Sequence, residues 1–249
     1  MARVALKVDQ LELDYGGFKA VDGFSMDVAE GELRVLIGAN GAGKTTLMDL
    51  ISGRTKSTGG RVYLHDVDIT NKQEHQIARA GVGRKFQIPS VFRGLTVLQN
   101  LSVAATVRKN VFGNLGISLP AARRAEVDRI LGVIELRDRQ SALAGTLSHG
   151  ETQWLELGML MIQDPKIIML DEPTAGMTHA ETLKTSRIVN SMKGTHTILV
   201  VEHDMSFVRE IANQITVMHL GRKLAEGTVH EIETNPAVKD AYLGSGGIH

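Results

Sequence analysis

The chain has 249 residues, enough for one or two domains with a sizeable core. Its 28 basic and 28 acidic residues give a formal net charge of zero, which disfavours broad nucleic-acid binding because that requires a basic surface. Cysteine is absent, so disulfides and cysteine-ligated zinc sites are excluded and a reducing compartment is permitted.

Membrane-spanning and secretory segments are not expected. No apolar run approaches the roughly 18 residues that a membrane helix requires. The stretch Met1 to Lys7 lacks the apolar segment of a signal peptide. We therefore expect a soluble, cytoplasmic protein that reaches a membrane through a partner.

The first third of the chain has the patterns of β-strands. Apolar and polar residues alternate over residues 6–13 and again over 24–28, which predicts half-buried strands. The continuous apolar run Leu33 to Ile37 predicts a buried strand, and Gly59-Gly60 opens a further strand at Arg61 to Leu64.

A phosphate-binding motif follows the third strand. Residues 38–45, Gly-Ala-Asn-Gly-Ala-Gly-Lys-Thr, match the pattern G-x-x-x-x-G-K-[ST] between a strand and a helix. Glycines let backbone N–H groups approach a phosphate, and the helix N-terminus favours an anion. We expect Lys44 to reach the β- and γ-phosphates and the Thr45 hydroxyl to ligate Mg²⁺. The predicted nucleotide contacts are Gly38, Asn40, Gly41, Gly43, Lys44, Thr45 and Thr46.

From about residue 90 to residue 147 the pattern becomes helical. Apolar residues recur every three or four positions over Leu95 to Val107 and over Leu119 to Leu136. Pro120 suits a first helical turn. This pattern predicts a helical insertion in an α/β frame.

The last hundred residues alternate between strand and helix. Short apolar strands at Lys166 to Leu170 and at Thr197 to Val201 flank a predicted helix at Thr178 to Met192. Continuous apolar strands separated by helices are typical of a parallel sheet covered on both faces.

Acidic residues and a histidine follow those two strands. Ligands bind at the carboxyl ends of such strands, so Asp171 could hold Mg²⁺ through water and Glu172 could act as a base or orient water. His203, at the end of the second strand, could contact a γ-phosphate. Taken alone, Asp171 and Glu172 are equally compatible with solvated acidic residues at a strand end, and a lone histidine is usually a surface or capping residue.

Two further segments have a structural and a functional interpretation. Gln87, where the helical segment begins, could contact Mg²⁺ or the attacking water, or could be only a hinge residue. Ser148 and Glu151 form a capping-box pattern at a helix start. The same helix N-terminus, with the Ser148 hydroxyl and the Gly150 N–H, could instead bind an external phosphate.

Taken together, these segments resemble the nucleotide-binding subunit of an ATP-binding cassette (ABC) transporter over nearly the whole chain. The matching motifs are Walker A at Gly38–Thr45, the Q-loop at Gln87, the signature at Leu147–Glu151, Walker B at Ile167–Glu172, the D-loop at Ala175–Thr178 and the switch histidine His203. Tyr15 falls where the family has an aromatic residue that stacks on adenine; the alternative is an ordinary aromatic residue at a strand end.

The resemblance implies one ABC ATPase domain with a P-loop NTPase core. Residues 1–89 and 148–249 would form the α/β core, with a mixed or parallel sheet and an N-terminal antiparallel part, and residues 90–147 the helical subdomain. ATP and Mg²⁺ are the implied cofactors.

The resemblance also divides the catalytic residues between two subunits. Those expected to act on the chain's own nucleotide are Lys44, Thr45, Gln87, Asp171, Glu172 and His203. Ser148 and Gly150 would act in trans on the γ-phosphate held by a second ABC ATPase subunit. Membrane permeases would bind the pair at the inner face of the cell membrane, and a periplasmic solute-binding protein would take part indirectly.

Finer similarity indicates the branch that imports branched-chain amino acids, amides and urea. It lies in residues 171–177 and in the tail from Asn235 to Gly244, while residues 147–156 most resemble an ATP-binding subunit of bacterial urea transporters.

The chain departs from the common family pattern at His149, Glu151, Trp154 and Thr178. The changes at His149 and Thr178 suggest paired sites that are not equivalent, as in a heterodimer; a homodimer of this chain is the alternative.

Two other functions agree less well with the sequence than that of a transporter ATPase. A soluble ABC ATPase acting on DNA or ribosomes is disfavoured by the single cassette, the lack of a long coiled-coil insertion and the zero net charge, so no nucleic-acid partner is expected. A nucleotide-dependent regulator that does not hydrolyse ATP is disfavoured by the presence of Lys44, Asp171, Glu172 and His203.

Overall fold

A computed structural model describes residues 3–85, 91–106 and 120–243 of the protein. The contacts divide the chain into two compact units. The first comprises Met1–Arg84, Lys166–Glu172 and Lys193–His249, and the second comprises Lys85–Pro165 and Pro173–Met192.

The first unit is built on two sheets. Its strands are β1 (Val4–Asp14), β2 (Lys19–Ala29), β3 (Leu33–Ile37), β4 (Gly59–Leu64), β5 (Val67–Asp68), β6 (Val82–Lys85, whose last residue is assigned to the second unit), β7 (Ile167–Asp171), β8 (Thr197–Val201), β9 (Gln214–His219) and β10 (Arg222–Gly227). Its helices are α1 (Lys44–Ser52), α2 (Glu74–Ala80), α7 (Met205–Ile211), α8 (Val229–Thr234) and α9 (Pro236–Leu243).

The smaller sheet is the predicted N-terminal antiparallel part. Its strand order is β2-β1-β4-β5, and each neighbouring pair is antiparallel. Alternate residues of β1, such as Leu6 and Val8, are buried while Lys7 between them is exposed. The alternation in the sequence therefore predicted this strand correctly.

The larger sheet has the strand order β10-β9-β3-β8-β7-β6. The ladders joining β9, β3, β8 and β7 are parallel, and β10 pairs antiparallel with β9. Every residue of β3, β7 and β8 is buried, as expected for continuous apolar strands covered on both faces. The mixed, mainly parallel sheet predicted from the sequence is confirmed.

One hydrophobic cluster joins the two sheets of the first unit. Side chains of β1 and β2 meet side chains of α1 and of the parallel strands there, for example Phe24, Leu47 and Leu199. Burial of this apolar surface is the main favourable contribution to folding. The helix that follows the phosphate-binding motif is thereby fixed between the sheets.

The second unit is helical in the part that the structure describes. It contains α3 (Val97–Thr106), α4 (Ala121–Val133), α5 (His149–Gln163) and α6 (His179–Ser191), with short 3₁₀ turns at Arg137–Arg139 and Ala144–Thr146. The helix α5 packs against α3 and α4, with Leu155, Leu101 and Ile130 fully buried. The predicted helical insertion thus corresponds to α3 and α4.

The contacts extend this unit beyond the predicted limits of the helical subdomain. The sequence assigned residues 148–249 to the α/β core, whereas α5 and α6 group with the helical unit. The reason is local packing: α5 covers α3 and α4, and the Trp154 indole N–H of α5 donates to the Thr185 hydroxyl of α6 at 3.0 Å.

Within residues 3–85, 91–106 and 120–243, no helix combines the length and the apolar character needed to cross a membrane.

The core of the first unit predicts an unequal effect of two leucine truncations. Leu199→Ala in β8 removes a side chain that is 0% exposed and should lower the free energy of unfolding by about 2–5 kcal/mol. Leu220→Ala, at a position 73% exposed, should change it by less than about 0.5 kcal/mol. Urea unfolding followed by circular dichroism measures both; equal destabilisation would contradict the described core.

Candidate functional site

The phosphate-binding loop lies between β3 and α1. Gly41 and Gly43 both have left-handed backbone conformations, with φ of +80° and +103°. No side chain caps α1, whose N-cap residue is Gly43. The first N–H groups of this helix are therefore available to an anion, and the helix dipole favours negative charge at that end.

Lys44 is the first residue of α1 and is only 8% exposed. Its Nζ donates hydrogen bonds to the carbonyl oxygens of Gly38 at 2.7 Å and Ala39 at 3.0 Å. Burial lowers the pKa of the Lys44 ammonium, and the negative charges of Glu172 and Asp171 partly oppose that effect. The lysine thus lies in the field of both acidic residues at the end of β7.

Asp171 is the last residue of β7, and its side chain is only 3% exposed. Its Oδ2 lies 3.1 Å from Nη2 of Arg84 in β6, whose Nη1 also bonds Asp49 Oδ1 at 2.6 Å and Ser52 Oγ at 2.8 Å in α1. Asp171 Oδ1 is buried and has no hydrogen-bond partner among the described residues. One carboxylate oxygen is therefore held by Arg84 and the other is not.

Glu172 and His203 follow two adjacent strands, β7 and β8. Glu172 has a left-handed φ of +45°, and its N–H donates to the Val201 carbonyl at 3.0 Å. His203 is exposed, and its Nδ1 lies 3.6 Å from Glu172 Oε1. The buried Glu202 carboxylate accepts the His203 N–H at 3.0 Å, which fixes the start of this loop.

The first unit therefore brings together four of the predicted site residues. Lys44, Asp171, Glu172 and His203 meet at the carboxyl edge of the parallel sheet. Tyr15 lies in the turn between β1 and β2 and is 63% exposed, with its N–H donating to the Phe18 carbonyl. Its proposed stacking role stays a prediction, and Gln87 lies outside the described residues.

In the second unit, the segment that resembles the signature begins α5. Ser148 is its N-cap: the Ser148 hydroxyl accepts the Glu151 N–H at 3.2 Å, and the Glu151 carboxylate accepts the Ser148 N–H at 2.8 Å. This reciprocal pair is the predicted capping box. A Cβ at Gly150 would meet the Glu181 carboxylate, so a larger residue at this position would displace that side chain.

Glu181 belongs to a second capping box, at the start of α6. Its carboxylate accepts the N–H and the hydroxyl of Thr178, each at 2.8 Å. These hydrogen bonds, the backbone one foremost, lower the pKa of Glu181. The segment resembling the D-loop is thus fixed at its C-terminal end.

The four departures from the family pattern all have local partners within the second unit. His149 Nε2 lies 3.0 Å from the Ala175 carbonyl oxygen, and Glu151 and Thr178 take part in the two capping boxes. The Trp154 ring has the Lys184 ammonium 3.7 Å from its centroid, besides the indole hydrogen bond to Thr185. His149 thus connects the start of α5 to the segment before α6, and Trp154 connects α5 to α6 itself.

A glycine-rich loop at a helix N-terminus, with a lysine and two acidic residues at the carboxyl ends of parallel strands, defines a P-loop nucleotide-binding protein. Comparison with known proteins is more specific. Residues 21–175 match the family model described as ABC transporter, and residues 222–248 match the one described as branched-chain amino acid ATP-binding cassette transporter.

Two curated relatives cover almost the full length. The high-affinity branched-chain amino acid transport ATP-binding protein LivG of Salmonella typhimurium is 38% identical over 98% of this chain and 99% of its own. The corresponding protein BraF of Pseudomonas aeruginosa is 37% identical with the same coverage.

A solved structure of an ATP-binding cassette is also similar to this chain. The ADP conformation of an ATP-binding cassette of an ABC transporter is 31% identical and superposes with a TM-score of 0.83, over 97% of this chain and 99% of that one. The chain belongs to the ABC transporter family, as an ATP-binding subunit that hydrolyses ATP. The resemblance in the sequence and the predicted fold class are both confirmed.

Arg84 contacts a predicted site residue but was not itself predicted from the sequence. It hydrogen-bonds to Asp171 although 87 positions separate the two residues in the chain. Arg84 lies between Gly83 and Lys85 in no recognisable motif, so its partners in α1 and β7 could not be read from the sequence pattern.

The loop geometry predicts different costs for two glycine substitutions. Both Gly41→Ala and Gly43→Ala place a side chain at positive φ, which costs about 1–2 kcal/mol. A Cβ at Gly43 would also lie 2.5 Å from the Ala20 carbonyl oxygen, whereas a Cβ at Gly41 would meet nothing within 4 Å. Gly43→Ala should therefore lose about 1–3 kcal/mol more stability in thermal or urea unfolding; equal losses would contradict the described loop.

Proposed function

We propose that this chain is the ATP-hydrolysing subunit of a membrane importer for a small solute. The observation that carries the proposal is the convergence of Lys44, Asp171, Glu172 and His203 at one edge of the parallel sheet. The uncapped N-terminus of α1 and the buried Lys44 ammonium bind the phosphates. Asp171 and Glu172 act in the hydrolysis of ATP.

Mg²⁺ fits the groups at this edge. Asp171 Oδ1 is buried without a hydrogen-bond partner in the described part of the chain, an arrangement that a metal-bound water would satisfy. Thr45, in the first turn of α1, would supply the hydroxyl ligand, and the ion would neutralise phosphate charge. The predicted contact of Gln87 with Mg²⁺ or with the attacking water is part of the same proposal.

Glu172 is the group that orients the attacking water. It follows β7 directly, next to Asp171, and its left-handed backbone is a strained conformation of the kind found at functional sites. His203, 3.6 Å away, is placed to hold Glu172 and to contact the γ-phosphate. Lys44 adds positive charge where negative charge develops in the transition state.

The proposed site is completed by a second ABC ATPase subunit. Ser148 and Gly150 at the start of α5 would contact the γ-phosphate bound by that partner, since a helix N-terminus favours an anion. Tyr15 would stack on adenine in the chain's own site. The departures from the family pattern at His149 and Thr178 support a heterodimer in which the two ATP sites differ, with a homodimer as the alternative.

Membrane permeases would bind the pair at the inner face of the membrane, with a solute-binding protein on the opposite side. The relatives named above support branched-chain amino acids as the solute. The similarity of residues 147–156 to urea transporter subunits keeps urea or an amide as the second candidate. An ATPase acting on nucleic acid gains no support from the zero net charge or from these relatives.

Replacement of the proposed water-orienting residue tests the catalytic assignment. Glu172→Gln keeps the size of the side chain but removes its charge, so phosphate release from Mg-ATP should fall by about 10²–10⁴-fold. An ATP-bound dimer should accumulate, as measured by light scattering after gel filtration. Glu74→Gln, on an exposed position of α2, is the matched control and should leave turnover unchanged. Normal turnover in Glu172→Gln would refute the assignment.

The solute is tested by reconstitution with the membrane permeases and the solute-binding protein with which this chain is proposed to assemble. Binding protein loaded with leucine should stimulate ATP hydrolysis and drive leucine uptake into vesicles, and vesicles carrying Glu172→Gln should do neither. Stimulation by urea or an amide alone would select the second candidate, and stimulation by none of them would contradict the importer branch.

A further inference from the structure

We infer that Arg84 is a positioning residue for the Mg²⁺ site: it fixes Asp171 relative to α1, the helix that carries Thr45. The inference rests on the proposed function, in which Thr45 and Asp171 are the Mg²⁺ groups supplied by this part of the chain. These two groups come from different elements, α1 and β7.

The guanidinium of Arg84 contacts both of those elements. Its Nη1 bonds Asp49 Oδ1 at 2.6 Å and Ser52 Oγ at 2.8 Å, one and two turns along α1 from Thr45. Its Nη2 bonds Asp171 Oδ2 at 3.1 Å. The side chains of Arg84 and Asp171 are 4% and 3% exposed, so solvent does not loosen these bonds.

The planar fork of arginine suits this arrangement. Its nitrogens donate in fixed directions to three acceptors at once, which a lysine ammonium on a flexible stem does not reproduce. With Oδ2 engaged by Arg84, Asp171 Oδ1 is the carboxylate oxygen that a metal-bound water can use. Groups that hydrogen-bond to a metal ligand and orient it commonly influence how tightly the site binds the metal.

A purely structural role for this buried ion pair is the alternative, since loss of one buried charge also destabilises a fold. Arg34 in β3 provides a matched comparison. It is likewise buried, and it pairs with Glu32 and with Glu226. Neither partner belongs to the proposed site. Arg34→Lys therefore measures the cost of an arginine-to-lysine change in a buried ion-pair cluster of the same unit.

The test is equilibrium binding of a fluorescent ATP analogue, first in EDTA and then with increasing Mg²⁺. For Arg84→Lys, the Mg²⁺ concentration that gives half of the maximal change in analogue binding should rise about tenfold. The dissociation constant of the analogue in EDTA should stay within about twofold of the wild-type value. Arg34→Lys should lower the unfolding temperature without shifting the Mg²⁺ response. Combining Arg84→Lys with Asp171→Asn should add nothing to the effect of Asp171→Asn alone.

The outcomes separate this inference from the proposed function. If Asp171→Asn leaves the Mg²⁺ response unchanged, the metal assignment in the proposed function fails. If Asp171→Asn abolishes the response but Arg84→Lys leaves it intact, only the inference fails. Should Arg84→Lys not fold, Arg84→Gln replaces it; failure of both to fold while Arg34→Lys folds would overturn the inference in favour of a structural role.

Discussion

The register of the parallel ladders is the constraint on which the site depends. Leu36 of β3 pairs with Val201 of β8, and Val201 pairs with Asp171 of β7, so three strands end in one row. Two backbone hydrogen bonds extend this row of strand ends by one residue. The Glu172 N–H donates to the Val201 carbonyl oxygen, and the Glu202 N–H donates to the Leu36 carbonyl oxygen. A slip of one residue would reverse the face of every side chain in the displaced strand and would separate Asp171 from the loop that carries Lys44.

Much of this arrangement could be predicted from the sequence because its signals are local. The P-loop, the apolar strands and the Ser148–Glu151 capping box each lie within a few consecutive residues, and the structure contains all three. Contacts between distant segments gave no comparable signal. Arg84 meets Asp49 and Asp171 across 35 and 87 positions, and His149 meets Ala175 across 26, so packing alone determines these pairs.

The second unit shows how departures from a family pattern can be accommodated. The residues at positions 149, 151, 154 and 178 form hydrogen bonds that join the start of α5 to the start of α6 or cap those helices. The departures at the start of α5 and before α6 are therefore accompanied by hydrogen bonds that hold the local backbone. The same packing explains why α5 and α6 group with the helical unit rather than with the sheets.

The proposed function requires the edge formed by β3, β7 and β8 to bind the nucleotide phosphates together with a metal ion. A crystal structure with a non-hydrolysable ATP analogue and Mn²⁺, whose anomalous signal locates the metal, tests this requirement. We expect the β- and γ-phosphates at the N–H groups of α1 and at Lys44, with Mn²⁺ held by the Thr45 hydroxyl and, through a bound water, by Asp171 Oδ1. Phosphates bound elsewhere, or Mn²⁺ held without Asp171, would contradict it.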